Sequence, residues 1–154
     1  MAFERVIMPS FAVIGQEGST QDGDDVIERM WKRATERYDE VAHLARTDGD
    51  GTPCGFWGAM TDFGRNFRPW EEGFSQGLYL AGVECDLSAE APRGWTKWII
   101  PGFEFVKVPC EDENTFMRGV IYLGEHELPL VGAVQDYTCP ADGGSYMMFP
   151  IRKL

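Results

Sequence analysis

The stretch RVIMPSFAVIG, residues 5–15, sets Pro9 between an apolar run and a second apolar run led by phenylalanine. The phrase returns as KWIIPGFEFVK, residues 97–107, around Pro101. Proline has no N–H for a strand ladder and fixes its own φ. Each phrase therefore reads as strand, corner, strand, and its repetition marks the entry of two similar units. After the first copy, QEGSTQDGDD (16–25) is a polar loop rich in turn and capping residues. From Asp25 a helix follows, with Ile27, Trp31, Ala34, Tyr38, Val41 and Ala45 forming one apolar stripe at helical spacing. Asp24 and Asp25 suit its N-terminal end, as caps and against the helix dipole. RTDGDGTPCG (46–55) breaks it, and GFWGAMTDF (55–63) and GLYLAGVEC (77–85) read as strands. Between them lies an irregular segment, GRNFRPWEEGFSQ (64–76), that spends Phe67, Trp70 and Phe74 on covering a core or shaping a mouth.

Outward from the second copy the order repeats. EDENTFMRGVIYLGEHEL (111–128) carries a sparser helical stripe of Phe116, Val120 and Leu123, with Gly119 and Gly124 weakening it. GAVQDYTCP (132–140) and GSYMMFPIRKL (144–154) close the chain as strands. Both halves thus spell β-α-β-β, at about 3–86 and about 94–154. Tyr79 and Tyr146 are taken as equivalent strand positions, and the shorter second copy loses length mostly from its helix and the loop after it. One helix cannot cover one half's sheet. The expected fold is therefore α+β: a single domain over 1–154, with one antiparallel sheet bearing both helices on one face.

Composition narrows the partners. At 154 residues, 44% hydrophobic, the chain suits one globular core. Five Trp, five Tyr and ten Phe exceed what such a core needs and suggest an aromatic-lined cavity. A formal net charge of −11 repels phosphate backbones and anionic membrane surfaces, so no direct nucleic-acid binding is expected. No apolar run is long enough to span a bilayer and the first residues do not read as a signal peptide, so a cytoplasmic location is expected. Cys54, Cys85, Cys110 and Cys139 form no CxxC pair and read as free thiols. DGDGTP (48–53) lacks the glycine and the bidentate glutamate of a calcium loop, GQEGST has no phosphate-loop lysine, and His43 and His126 stand in no paired ligand spacing. Neither metal nor cofactor is expected, and there is no GxSxG nucleophile.

The stretches FAVIGQEGST, GFWGAMTDF with PWEEGF, GLYLAGVE, GWTKWIIPGFEF and GAVQDYTCP with SYMMFPI, in this order over nearly the whole chain, resemble the GyrI-like small-molecule-binding family. The same module serves as the effector-binding domain of AraC- and MerR-type multidrug-sensing regulators. The resemblance implies a duplicated β-α-β-β fold with a ligand pocket between the two helices, over the middle of the sheet. It also implies aromatics around a central carboxylate, commonly glutamate, that favours bulky, often cationic, aromatic ligands. Here that position reads QDY, so the match is Asp136 before Tyr137, one methylene shorter than the usual glutamate. The chain resembles the stand-alone bacterial branch, without DNA-binding helices, and some such members hydrolyse reactive cyclopropane-bearing compounds.

Trp57, Trp70, Tyr79, Trp98, Phe103, Phe105 and Tyr137 are the candidate pocket aromatics, and Trp31 and Tyr38 of the first helix border the same space. Glu84 and Asp136 are the two acids inside otherwise apolar strands. Alternation puts Glu84 on the face of Leu80 and Gly82, opposite Tyr79, and Asp136 on the face of Val134 and Thr138. A buried acid there needs a partner or a raised pKa, and in a cavity it attracts a cation or works as a general acid or base. At a strand end it would simply be solvated. Three readings follow: a module binding a hydrophobic or aromatic small molecule; a hydrolase using Glu84 or Asp136 with Tyr79 or Tyr137; and an inhibitor of another protein through an exposed acidic surface. The oligomeric state is not legible.

Overall fold

The computed structural model describes residues 3–154. Eight strands form one antiparallel sheet: β1 (Glu4–Met8), β2 (Phe11–Ser19), β3 (Phe56–Thr61), β4 (Leu78–Cys85), β5 (Thr96–Ile100), β6 (Phe103–Pro109), β7 (Gln135–Thr138) and β8 (Ser145–Lys153). Helix α1 (Val26–Glu36) follows β2, a single turn α2 (Glu71–Phe74) lies between β3 and β4, and α3 (Thr115–Glu125) follows β6. The strand order is β1-β6-β8-β7-β3-β4-β2-β5.

That order explains the proline phrases. β1 and β2 are two residues apart in sequence, yet β1 pairs with β6 at one edge and β2 pairs with β4 and β5 near the other. Symmetrically, β5 runs through Pro101 into β6 but pairs with β2. Each unit lends its entry strand to the other. The two corners touch: a Cβ built on Gly102 would lie 3.2 Å from the Ser10 backbone nitrogen and 3.4 Å from the Met8 carbonyl. The sheet must therefore curl until its edges approach. Phe11, Val13, Trp57, Leu80, Trp98, Phe103, Phe105 and Met148, drawn from both ends of the strand order, fill the interior it encloses. Burying so many large side chains is the dominant stabilisation, about 1.5–3 kcal/mol for each.

Both helices lie on the other face. Val26, Met30 and Ala34 of α1 pack on Ala12, Ile14, Tyr79, Ala81 and Val83, and Leu123 of α3 packs with Val106, Val108, Phe149 and Ile151. The expected helix from Asp25 to Ala45 is shorter. It ends at Glu36, and Tyr38–Glu40 and Ala42–Leu44 are 3-10 turns. The buried stripe is Val26, Met30 and Ala34, while Ile27 is 36% exposed, because helix α1 presents the i, i+4, i+8 row that begins one residue earlier. Part of the supposed polar loop 16–25 is strand, since β2 runs to Ser19, whose side chain and that of Asp22 then form a reciprocal capping box. Both long helices have eleven residues, so the second unit is shorter in its connections and not in its helix. Gly119 does not weaken α3: it is buried, and the Phe149 ring lies where its Cβ would stand. Tyr79 and Tyr146 point to opposite faces, because Tyr146 pairs through Tyr137 with Trp57, three residues from Tyr79's partner Met60. They are not equivalent positions.

Candidate functional site

The middle of the sheet is where β3 meets β7, and their ladder is only three pairs long: Phe56 with Thr138, Trp57 with Tyr137, Gly58 with Asp136. Buried Gln135 extends it with its side chain, accepting from the Met60 N–H and donating to the Met60 and Ala133 carbonyls at 3.1 and 3.2 Å. Alternation then puts Phe56, Gly58, Met60, Asp136 and Thr138 on the face that carries the helices. Gly58 is the pivot. Lacking a side chain, it lets the Tyr79 phenol from β4 cross β3 and reach β7; a Cβ at Gly58 would collide with the Tyr79 hydroxyl and stand 3.1 Å from the Asp136 Cβ.

A relay results. Trp31 Nε1, from α1, donates to the Tyr79 hydroxyl at 2.8 Å, and that hydroxyl donates to Asp136 Oδ2 at 3.3 Å. Among the described residues this is the only hydrogen bond the Asp136 carboxylate accepts, and no lysine or arginine pairs with it. Desolvation raises its pKa from 3.8 to about 6, with the Tyr79 hydrogen bond opposing the rise. Burial likewise pushes the Tyr79 phenol up, helped by the charge of Asp136, so it stays protonated as a donor.

Two hollows open beside Asp136, and a third lies farther along α1. One of about 320 Å³ is lined by Trp31, Gly58, Tyr79, Asp136 and Cys110. A second, about 290 Å³, runs toward α3 between Met60, Trp70, Phe74, Phe116, Met147 and Asp136. A third, about 420 Å³, lies at the C-terminal end of α1. The loop 64–76 shapes the second. Glu72, Gly73 and Phe74 all have positive φ, a left-handed turn that throws Phe74 onto Phe116 with ring centroids 5.2 Å apart. Trp70 folds back to donate to the Leu78 carbonyl at 3.0 Å, over Gly77, where a side chain would strike its ring. Phe67 turns the other way and packs edge-on against Trp98. The loop both covers the interior and forms a mouth.

Of the residues expected in the pocket, the structure brings together Trp70, Tyr79 and Asp136, joined by Trp31, while Tyr38 lines the third hollow instead. Trp57, Glu84, Trp98, Phe103 and Phe105 lie on the enclosed face instead. Tyr137 also belongs to that face, against Trp57 at 4.6 Å, although its edge lines the hollow of about 320 Å³ beside Asp136. Glu84 is 4% exposed and is not solvated at a strand end. It accepts from Trp57 Nε1 at 2.9 Å and faces the Arg46 guanidinium at 3.4 Å, while desolvation holds its pKa above the usual range. It sits on the opposite face from Tyr79, as alternation required, and so cannot share a site with it. Phe74 lines the groove as one of the loop aromatics expected to shape a mouth, whereas Phe56, Met60, Phe116 and Met147 line it without having been anticipated there. The signal for Phe56 and Met60 was present: they alternate in phase with Gly58, whereas Trp57 drew attention by its size.

A curled antiparallel sheet with two helices over one face and a groove between them is the fold of the GyrI-like domains. No protein-family model matches the chain, and no curated protein sequence matches it. Solved structures do. The C-terminal domain of EcmrR superposes with a TM-score of 0.64 at 10% identity, over 100% of both chains. SAV2435, solved bound to tetraphenylphosphonium, gives 0.61 at 13% identity over 99% of this chain and 94% of its own. An integron cassette protein of Vibrio cholerae gives 0.57 at 11% identity over 99% and 97%. What these likenesses share with the chain is the fold.

Proposed function

We propose that this protein binds a bulky, planar, cationic small molecule in the groove between α1 and α3, with the positive charge over Asp136. The carrying observation is a carboxylate without a cationic partner, set on the floor of an aromatic groove. An ion pair formed there is screened less than one on the surface, and each ring facing a cation adds about 0.5–2 kcal/mol. The net charge of −11 draws cations toward the mouth. That a protein of the same fold, SAV2435, was solved with an aromatic phosphonium supports the ligand class.

The test is calorimetric titration with tetraphenylphosphonium beside its neutral isostere tetraphenylsilane carried in detergent. The cation is expected to bind and the neutral compound to bind at least tenfold more weakly. Asp136→Asn should erase that preference. Because the carboxylate is charged only above about pH 6, cation affinity should fall as pH drops through 6 in the wild type and stay flat in Asp136→Asn. Equal affinity for both compounds at pH 8 would sink the reading.

One observation favours a catalytic variant: Tyr79 and Asp136 form an acid pair whose carboxyl titrates near neutrality. A protonated Asp136 would give its proton to one ring carbon as the strained C–C bond breaks, water would add to the other carbon, and the proton that water sheds would return to the Asp136 carboxylate. Mass spectrometry of the recovered ligand distinguishes the two, since turnover leaves a water adduct and binding leaves the ligand intact.

A further inference from the structure

The third hollow, of about 420 Å³, differs in chemistry from the two beside Asp136. Its walls are Ile14, Ala34, Val41, Phe56, Val83 and the rings of Trp31, Tyr38 and Trp95. Among the described residues no charged side chain lines it. Both indole N–H groups are committed elsewhere: Trp31 to the Tyr79 hydroxyl at 2.8 Å and Trp95 to Glu40 Oε1 at 2.9 Å. Glu40 is in turn neutralised by Arg37 at 2.9 Å. What remains polar is a set of hydroxyls, on Thr35, Tyr38 and Thr138, that make no hydrogen bond among the described residues. An ion would lose its hydration here with no opposite charge in return: an anion would gain nothing, and a cation only the ring faces, without the carboxylate it meets at Asp136. A flat uncharged ring would gain dispersion contact with these walls, and a carbonyl or ether oxygen on its edge could accept from those hydroxyls.

The chamber is not isolated. Trp31 and Thr138 line both it and the hollow that holds Asp136. The Trp31 ring, pinned by its bond to Tyr79, is the shared wall. We propose that the chamber is a second subsite for a neutral planar ring carrying an oxygen acceptor, and that the ligand is a two-part molecule with its cationic group at Asp136 and this ring beyond Trp31. This rests on the cation-binding reading above and adds the other half of the ligand. A two-part ligand pays the entropy of association once, so joining the halves strengthens binding beyond either half alone.

Three probes separate the claims: benzyltrimethylammonium for the cation, 2-naphthol for the ring, and a trimethylammonium joined to a naphthyl ether through a four-carbon linker. The joined probe should bind at least tenfold more tightly than either half. Ala34→Leu fills the chamber from α1 and should weaken the joined probe and 2-naphthol at least tenfold while leaving benzyltrimethylammonium unchanged. Ala34 is a packed position, so Thr35→Phe, at an exposed site on the rim, is run beside it, and both variants are checked by urea melting. Asp136→Asn should do the reverse, weakening benzyltrimethylammonium and leaving 2-naphthol alone. A joined probe no tighter than benzyltrimethylammonium, or one indifferent to both filling variants, overturns the chamber proposal with the cation site intact. A benzyltrimethylammonium affinity that ignores Asp136→Asn overturns the cation site instead, and 2-naphthol sensitivity to the filling variants then still reports the chamber.

Discussion

Asp136 is kept at a cost to the fold. Its pKa is raised from 3.8 to about 6, so between those values the folded protein holds a proton that the unfolded chain has lost. Stability therefore falls as pH rises through that window and stays lower above it. Asp136→Asn should stabilise the protein by about 2–3 kcal/mol at pH 8 and by almost nothing at pH 3.5, read from urea denaturation at the two values. A gain in stability bought with lost cation binding is the usual signature of a functional charge. Glu84 is the control. Its carboxylate is also buried, but on the enclosed face against Trp57 and Arg46. Glu84→Gln keeps an oxygen for the Trp57 N–H, so ligand affinity should stay within about twofold and stability within about 1 kcal/mol. A large loss of binding in Glu84→Gln would mean that the two faces communicate. The acids were visible in the sequence as interruptions of apolar strands, and alternation assigned their faces correctly. Which face carried the groove was not visible, because that depends on how the sheet curls, and so Trp57, Trp98, Phe103 and Phe105 could not be told apart from Tyr79.

Helix α3 shows how tertiary contact overrides propensity. By propensity Gly119 weakens a helix by about 1 kcal/mol relative to alanine. In the fold, the Phe149 ring occupies the place its Cβ would take, and Phe116 stacks on Phe149 with centroids 5.7 Å apart. Gly119→Ala should therefore destabilise by about 1–3 kcal/mol, the cost of overpacking, despite the better helix former. A Tm that rises in this variant would show that α3 can slide away from β8. The same override explains α1. Its strong apolar spacing identified the helix, but the row that faces the sheet was displaced by one residue, and the 3-10 turns after Glu36 bring Tyr38 and Val41 onto the chamber by a path that helical spacing does not describe. The turn 71–74 had no sequence signal beyond its glycine: Glu72 and Phe74 adopt positive φ although neither residue type favours it.

The paired proline phrases were the most informative feature of the chain. They located both corners and the strands around them, and the one-sheet, two-helix architecture followed. What they did not reveal is that each corner sends its entry strand across to the other unit. The consequence is cooperative folding. Fragments 1–90 and 91–154 should each lack a cooperative thermal transition alone, since β2 would miss β5 and β6 would miss β1. Mixed at equal concentration, they should regain native circular dichroism and a single transition. A fragment that melts cooperatively by itself would show that the exchanged strands are dispensable.

Two such units on separate chains would have to trade the same strands to fold, as subunits of a swapped dimer do. Held on one chain, the trade no longer depends on concentration. Nor does it bind the partners to identity: a symmetric dimer must place the same residue at both copies of a position, whereas one continuous chain can set Asp136 on β7 and, directly across from it on β3, the bare Gly58. The exchanged corners are thus what permits an asymmetric groove to be built from two similar halves.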